Sequence, residues 1–193
     1  DIAGAVKIIG VDVARFGDDR SVLCKREGLL CYPLRVIENL DNMTFAGIVA
    51  DEINRFKPDA VFIDAGRGEG VIDRLRQLGY KVLEINFGAR AIEPNKYANK
   101  RSEMWDKMRE WLENGGAIPN DTDFKSELAA PTYKFDAAGR KVLEPKEKLK
   151  ERGLRSPDMA DSLALTFAFP VRPVNAREVK RITELDRLNE EWL

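Results

Sequence analysis

The stretch PDAVFIDAGRGEGVIDRLRQLGYKVLEINFG, Pro58 to Gly88, decides the fold. It reads as a short apolar strand ending at Asp64, a glycine-rich turn, a helix and a second strand. Two strands joined through a helix run parallel, because a crossover of that length brings the chain back to the same end of the sheet. This alternation predicts an α/β fold.

Upstream, AVKIIGVDVARFGDDRSVLCKREGLLCYPLRVIENL, Ala5 to Leu40, reads as three strands joined by tight turns at Gly17-Asp18-Asp19 and Glu27-Gly28. Val6 to Val13 is apolar except for a lysine, a glycine and Asp12, the pattern of a central strand covered on both faces. A helix is expected from Thr44, as N-cap, to Phe56. Downstream, a longer helix near Ala98 to Asn114 carries Arg101, Met104, Trp105, Met108, Trp111 and Leu112 on one face, an aromatic stripe read as core. A short helix near Asp121 to Ala129 and a hairpin from Thr132 to Glu144 follow.

SPDMADSLALTFAF, Ser156 to Phe169, is almost wholly apolar and reads as a buried helix with Ser156 as N-cap. Asp158 and Asp161, three residues apart, lie on one side of its first turns. An acid at a helix N-terminus is stabilised by the helix dipole, which accounts for Asp158. Asp161 lies deeper, where a second charge is disfavoured unless a cation stands nearby. From these residues alone, a metal site and simple capping both remain open.

The chain has 193 residues, 44% hydrophobic and 34% charged, enough for one well-buried domain over 1–170. Residues 171–193 read as a tail, an extended spacer followed by an amphipathic helix carrying Val179, Ile182, Leu185, Leu188 and Trp192. Cys24 and Cys31 are expected as two buried thiols. No apolar run has the length of a membrane span and no charged-then-apolar leader opens the chain, so the expected location is cytoplasmic, with no membrane partner. The absence of histidine removes every histidine-based nucleophilic, acid–base and metal chemistry, leaving carboxylates, lysines, hydroxyls and the ions they hold. A net charge of −1 neither marks nor excludes a nucleic-acid binder.

Asp12, Asp64, Asp158 and Asp161 thus interrupt apolar elements. A buried carboxylate requires a partner, and no lysine or arginine occupies a matching core position in those strands. Divalent cations, Mg2+ or Mn2+, are the expected solution. Open α/β sheets place sites at the C-terminal ends of their parallel strands. A pair of ions roughly 3.5–4 Å apart, held there by carboxylates, is the arrangement that hydrolyses phosphodiesters.

The order of three strands with Asp12 on the first, an αβ unit with Asp64, and a late helix with Asp158 and Asp161 resembles the ribonuclease H-like nucleases. Within that group, GVDVARFGDDRSVL, VFIDAGRGEGVIDRLRQLG and RSPDMADSLALTFA are similar to the nuclease domain of the large terminase subunit of tailed bacteriophages, over Val6 to Phe169. The resemblance implies a mixed central sheet, three antiparallel strands then parallel ones, flanked by helices on both faces. It also implies a metal-dependent endonuclease that cuts concatemeric viral double-stranded DNA in the host cytoplasm. Asp12, Asp64 and Asp158 fall on the family's catalytic acids, and Asp161 on an additional acid of Holliday-junction resolvases. Where family members often carry a second acid beside the late-helix aspartate, this chain has Pro157. The implied partners are the ATPase motor domain, the portal, which the tail would meet, and the small terminase subunit. No G-x-x-x-x-G-K-[ST] motor loop is present, so the chain is read as a domain of a longer polypeptide.

Lys100, Lys146 and Lys148 are candidate contacts to the DNA backbone, a solvated charge run being the alternative for the lysines after the hairpin. With no base-reading motif, cleavage is expected to tolerate sequence. Three rivals remain. FDAAGRKVLEPK offers Asp136, Glu144 and Lys146 at a spacing like that of PD-(D/E)xK nucleases; GVDVARFGDD resembles an actin-like phosphate loop; and a docking module with vestigial acids would share the same sequence.

Overall fold

The computed structural model describes residues 4–14 and 20–173. Side chains alternate between the two faces of a strand. In β1 (Lys7–Asp12), Ile9 and Val11 enter one core and Ile8 enters a second core on the opposite face. β1 pairs antiparallel with β2 (Ser21–Glu27), Asp12 opposite Val22, and parallel with β5 (Ala60–Asp64), Val11 beside Ile63. β6 (Leu83–Ile85) continues the sheet in parallel, so the crossover read from Pro58 to Gly88 is present.

The third strand expected upstream is two short pieces, β3 (Leu30–Cys31) and β4 (Arg35–Ile37), both paired with β2. Arg26 faces Cys31 and Leu23 faces Arg35, so the outer chain spends one more residue than β2 over that interval. The extra residue falls at Tyr32-Pro33-Leu34, where proline has no N–H to give to the ladder. The turn expected at Gly17-Asp18-Asp19 lies outside the described residues. Cys24 and Cys31 are buried free thiols with their sulfurs 3.6 Å apart, as expected.

One face of the sheet is covered by α1 (Asn42–Phe56) and α2 (Ala65–Gln77). α1 begins two residues before Thr44, because Asp41 takes the N-cap and accepts from the amides of Met43 and Thr44. The glycine-rich turn expected after Asp64 is instead the first part of α2. Its Gly70 lies against α1, where a β-carbon would stand 2.8 Å from Asn42 Nδ2, so this glycine serves packing and not a loop.

The opposite face carries α3 (Lys100–Glu113), α4 (Thr122–Ala129), the hairpin of β7 (Tyr133–Phe135) and β8 (Lys141–Leu143), a short α5 (Lys146–Glu151) and α6 (Asp158–Leu165). The stripe of Met104, Trp105, Met108 and Trp111 is buried against Met159 and Leu163, as core. α6 crosses β1 so closely that a β-carbon on Gly10 would lie 2.1 Å from the Ser162 carbonyl oxygen. It ends at Leu165, short of the expected Phe169. Beyond it the amides of Thr166, Phe167 and Ala168 bond three residues back, the tighter winding of a closing turn. The expected tail helix falls on residues outside those described. Among the described residues no helix is long and apolar enough to cross a membrane.

Candidate active site

Strand register and face alternation bring the first two acids together. Asp12 ends β1 and Asp64 ends β5, each one residue beyond the paired Val11 and Ile63. Both therefore lie at the same end of neighbouring parallel strands, on the face opposite to Val11 and Ile63, which is the α6 face. Asp64 also caps α2, its Oδ1 accepting from the Gly66 amide at 3.1 Å. Asp158 and Asp161, in the first turn of α6, complete the set.

At the centre stands a lysine. Lys146, the first residue of α5, places Nζ 2.9 Å from Asp161 Oδ2, 3.3 Å from Asp12 Oδ2 and 3.9 Å from Asp158 Oδ1, with 25% of its side chain still exposed. Burial alone would lower its pKa, but the charges of Asp12, Asp161 and Asp158 outweigh burial and raise it. The strands supply no cation to these acids, as expected, but side-chain cations do reach them. The cations come not from the strands but from three other places: Lys146 from α5, Arg101 from α3 and Arg20 from the residue before β2.

Asp161 is fully buried and plays a different part from the other acids. Its Oδ1 accepts from Trp105 Nε1 at 2.7 Å and Arg101 Nε at 3.1 Å, while Arg101 Nη1 also donates to the Glu144 carbonyl at 2.9 Å. Burial would raise its pKa, yet Arg101, Lys146 and Trp105 together hold it below the ordinary carboxylate value. Its Oδ2 receives no well-aligned hydrogen bond, so the 2.9 Å approach of Lys146 is a contact of charges. Asp161 ties α6 to α3 and to the end of the hairpin.

Asp158 is gripped more loosely, with Arg20 Nε 3.9 Å from its Oδ2. Arg20 Nη2 also donates to Glu127 Oε1, and Glu127 Oε2 accepts from the amides of Met159 and Ala160. Ser156 is not the backbone cap expected from the sequence: Pro157 occupies the N-cap position with no side-chain capping bond, and the Ser156 hydroxyl serves the Asp158 carboxyl.

The remaining three acids are short of positive charge. Asp12 lies well above the ordinary carboxylate range, chiefly through burial, with Lys146 opposing and the charges of Asp161, Asp64 and Asp158 adding. Burial likewise raises Asp64 against the Gly66 amide and Lys146, and raises Asp158 against Ser156, Lys146 and Arg20. Hard oxygen donors with unbalanced charge suit Mg2+ or Mn2+. Among the described residues no three acids already surround one point as a formed cage, and Lys146 holds the space between Asp12, Asp158 and Asp161. The donor set fits a divalent ion that competes with the lysine.

Of the lysines expected at DNA, Lys148 is exposed and paired with Glu151 at 2.7 Å. Lys100 is not at the surface. It is 3% exposed, bonded to Glu103 at 2.9 Å and laid over the Phe169 ring. The PD-(D/E)xK trio does not assemble either. Asp136 accepts from the Ala138 and Arg140 amides of its own turn, Glu144 binds Thr132 and Arg152, and only Lys146 reaches the acids.

No family model and no curated protein matches the chain. Solved structures do. The nuclease domain of the large terminase subunit gp2 of bacterial virus Sf6 matches with a TM-score of 0.71 over 86% of this chain and 89% of that one, at 17% identity. The fold is that of phage large-terminase nuclease domains. A mutant of the Sf6 domain solved with manganese and beta-thujaplicinol matches at 0.73, covering 88% and 90%, with 16% identity. The large terminase nuclease of thermophilic phage G20c with bound magnesium gives 0.65 over 85% and 81%, at 18% identity. The mixed sheet between two helical layers is thus the architecture that the sequence led us to expect.

Proposed function

We propose that the chain is the nuclease domain of a viral genome-packaging terminase, an endonuclease that cuts concatemeric double-stranded DNA by two-metal phosphodiester hydrolysis with little sequence specificity. The observation that carries this reading is the meeting of Asp12, Asp158 and Asp161 around Lys146, with Asp64 beside Asp12, at the C-terminal edge of the parallel strands. The metal-bearing relatives of the same fold support it.

Asp12, Asp64 and Asp158 would hold Mg2+ or Mn2+, with Asp161 offering at most Oδ2, since its other oxygen is committed to Arg101 and Trp105. Bound divalent cations supply a more acidic water and charge stabilisation on the leaving oxygen. The protein's own contribution is positioning. Two rigid strand ends present Asp12 and Asp64, and a helix pinned by Asp161 presents Asp158. Lys146 keeps these acids together against their mutual repulsion. Lys148, on the exposed side of α5, would meet a phosphate by exchanging its bond to Glu151.

With near-zero net charge, the domain neutralises few phosphates and binds DNA weakly by itself. The motor domain, portal and small terminase subunit supply the rest of the assembly in the host cytoplasm. The test is digestion of supercoiled plasmid with Mn2+ or chelator, comparing the native chain with Asp12→Asn and Asp64→Asn. Loss of a group that merely supports a metal ligand lowers activity about 10–100-fold, so loss of a ligand lowers it by more. Native cleavage that needs Mn2+ and collapses in both variants is expected. An inert native chain, or variants that cut at the native rate, would overturn the reading, and discrete cuts at one site would overturn its sequence tolerance.

A further inference from the structure

We infer that Glu127 and Arg20 are positioning residues for Asp158, setting it through the N-terminus of α6 and relieving its carboxylate of capping that helix, so that it can face an ion; this rests on the nuclease reading.

A helix leaves its first amides without partners inside the helix. In α6 the usual solution is missing, because Pro157 has no capping side chain. Asp158, next in sequence, is of a type that commonly folds back on such amides. Here that duty is taken from outside the helix. Glu127, on α4, brings Oε2 to 2.7 Å from the Met159 amide and 3.2 Å from the Ala160 amide, 32 residues away along the chain for Met159. A negative charge at that point also suits the positive end of the helix.

A second buried carboxylate beside Asp158 would repel it. Arg20 removes the conflict by donating from Nη2 to Glu127 Oε1 and turning Nε toward Asp158 Oδ2 at 3.9 Å. One guanidinium therefore joins the cap to the acid. Arg20 stands immediately before β2, whose Val22 faces Asp12, so the pair also fixes α6 relative to the strand that carries the first acid. All three residues are at most 9% exposed, and their geometry is set by packing as well as by charge.

The experiment uses the full chain with Glu127→Ala, Glu127→Gln and Arg20→Ala, at temperatures where each is folded. Amide hydrogen exchange reads the cap, and calorimetric Mn2+ binding without DNA reads the site. Glu127→Ala should speed exchange at Met159 and Ala160 while leaving β1 and β5 protected. It should also weaken Mn2+ binding about 10–100-fold, the cost typical of losing a group that orients a ligand. Arg20→Ala should weaken Mn2+ binding to a similar degree. If Glu127→Ala does not fold, Glu127→Gln carries the comparison: it keeps an acceptor for the amides but loses its charge, so protection should largely remain while Mn2+ affinity falls. Unchanged exchange in Glu127→Ala, or folded variants with native Mn2+ affinity, would overturn the inference. A native chain that binds no Mn2+ would instead overturn the nuclease reading itself.

Discussion

Gly10→Ala is the substitution whose effect follows most directly from the packing. The added β-carbon would lie 2.1 Å from the Ser162 carbonyl oxygen, 3.1 Å from Thr166 Cγ2 and 3.2 Å from Leu165 Cβ. Ordinary contact for a β-carbon begins at 3.4 Å, so α6 must retreat from β1 by roughly 1 Å. Overpacking of this kind costs about 1–3 kcal/mol, and here backbone is struck on both sides, which places the loss at the upper end. The same retreat carries Asp158 and Asp161 away from Asp12 and Asp64, and a misplacement of about 1 Å lowers a catalysed rate about 100-fold. Gly47→Ala is the control. It lies in α1 with nothing within 4 Å of its β-carbon position, and should gain roughly 0.5–1 kcal/mol from reduced chain freedom. Urea denaturation and Mn2+-dependent plasmid cleavage measure both variants. Gly10→Ala with native stability and a native rate would refute the close approach of α6 to β1.

Other outcomes follow from the charges. Asp12→Asn should unfold at least as high as the native chain in chelator at neutral pH. Burial raises the Asp12 pKa, so its destabilising effect is absent at low pH and grows as pH rises through that value; a melting temperature that drops sharply would contradict this. Asp106 behaves in the opposite way. Despite burial, bonds from Lys141, Tyr97 and Arg109 hold its pKa to about 2, so its contribution is complete above the ordinary 3.8 and lost as pH falls toward 2. That contribution is on the order of 2 kcal/mol. The gap between the native chain and Asp106→Asn in denaturant titrations should therefore narrow below pH 3.8 and close only near pH 2, and a gap that stays constant with pH would sink the assignment. Lys100→Met should lower stability through the loss of Glu103 and Phe169 contacts while leaving the salt dependence of DNA binding unchanged; a shallower salt slope would restore Lys100 to the DNA surface.

Much of the fold was legible because period and burial agree. The continuous apolar run around Ile9 and Val11 is a strand covered on both faces, and the crossover from β5 to β6 leaves only a parallel arrangement. The glycines after Asp64 misled because glycine signals both loops and close packing. Residue type alone does not distinguish a turn from a helix pressed against another, as Gly70 is against Asn42. The acids were legible for a related reason, since each interrupts an apolar element. Their cations were not. Arg101 stood on the helix face read as core and Lys146 among the candidate DNA contacts, but nothing in the sequence aimed either of them, or Arg20, at the four acids; only tertiary packing does. Glu127 was equally hidden, as one acid on a short amphipathic helix, until α4 met the uncapped start of α6.

The central claim is that acids from two strand ends and one helix form a single ion-binding locus in which metal competes with Lys146. Anomalous diffraction from crystals soaked in Mn2+ tests it directly. The account predicts manganese peaks bonded to Asp12, Asp64 and Asp158, with Lys146 Nζ displaced from its 3.3 Å contact with Asp12. Crystals with no peak at these carboxylates, and Lys146 still seated among them, would contradict it.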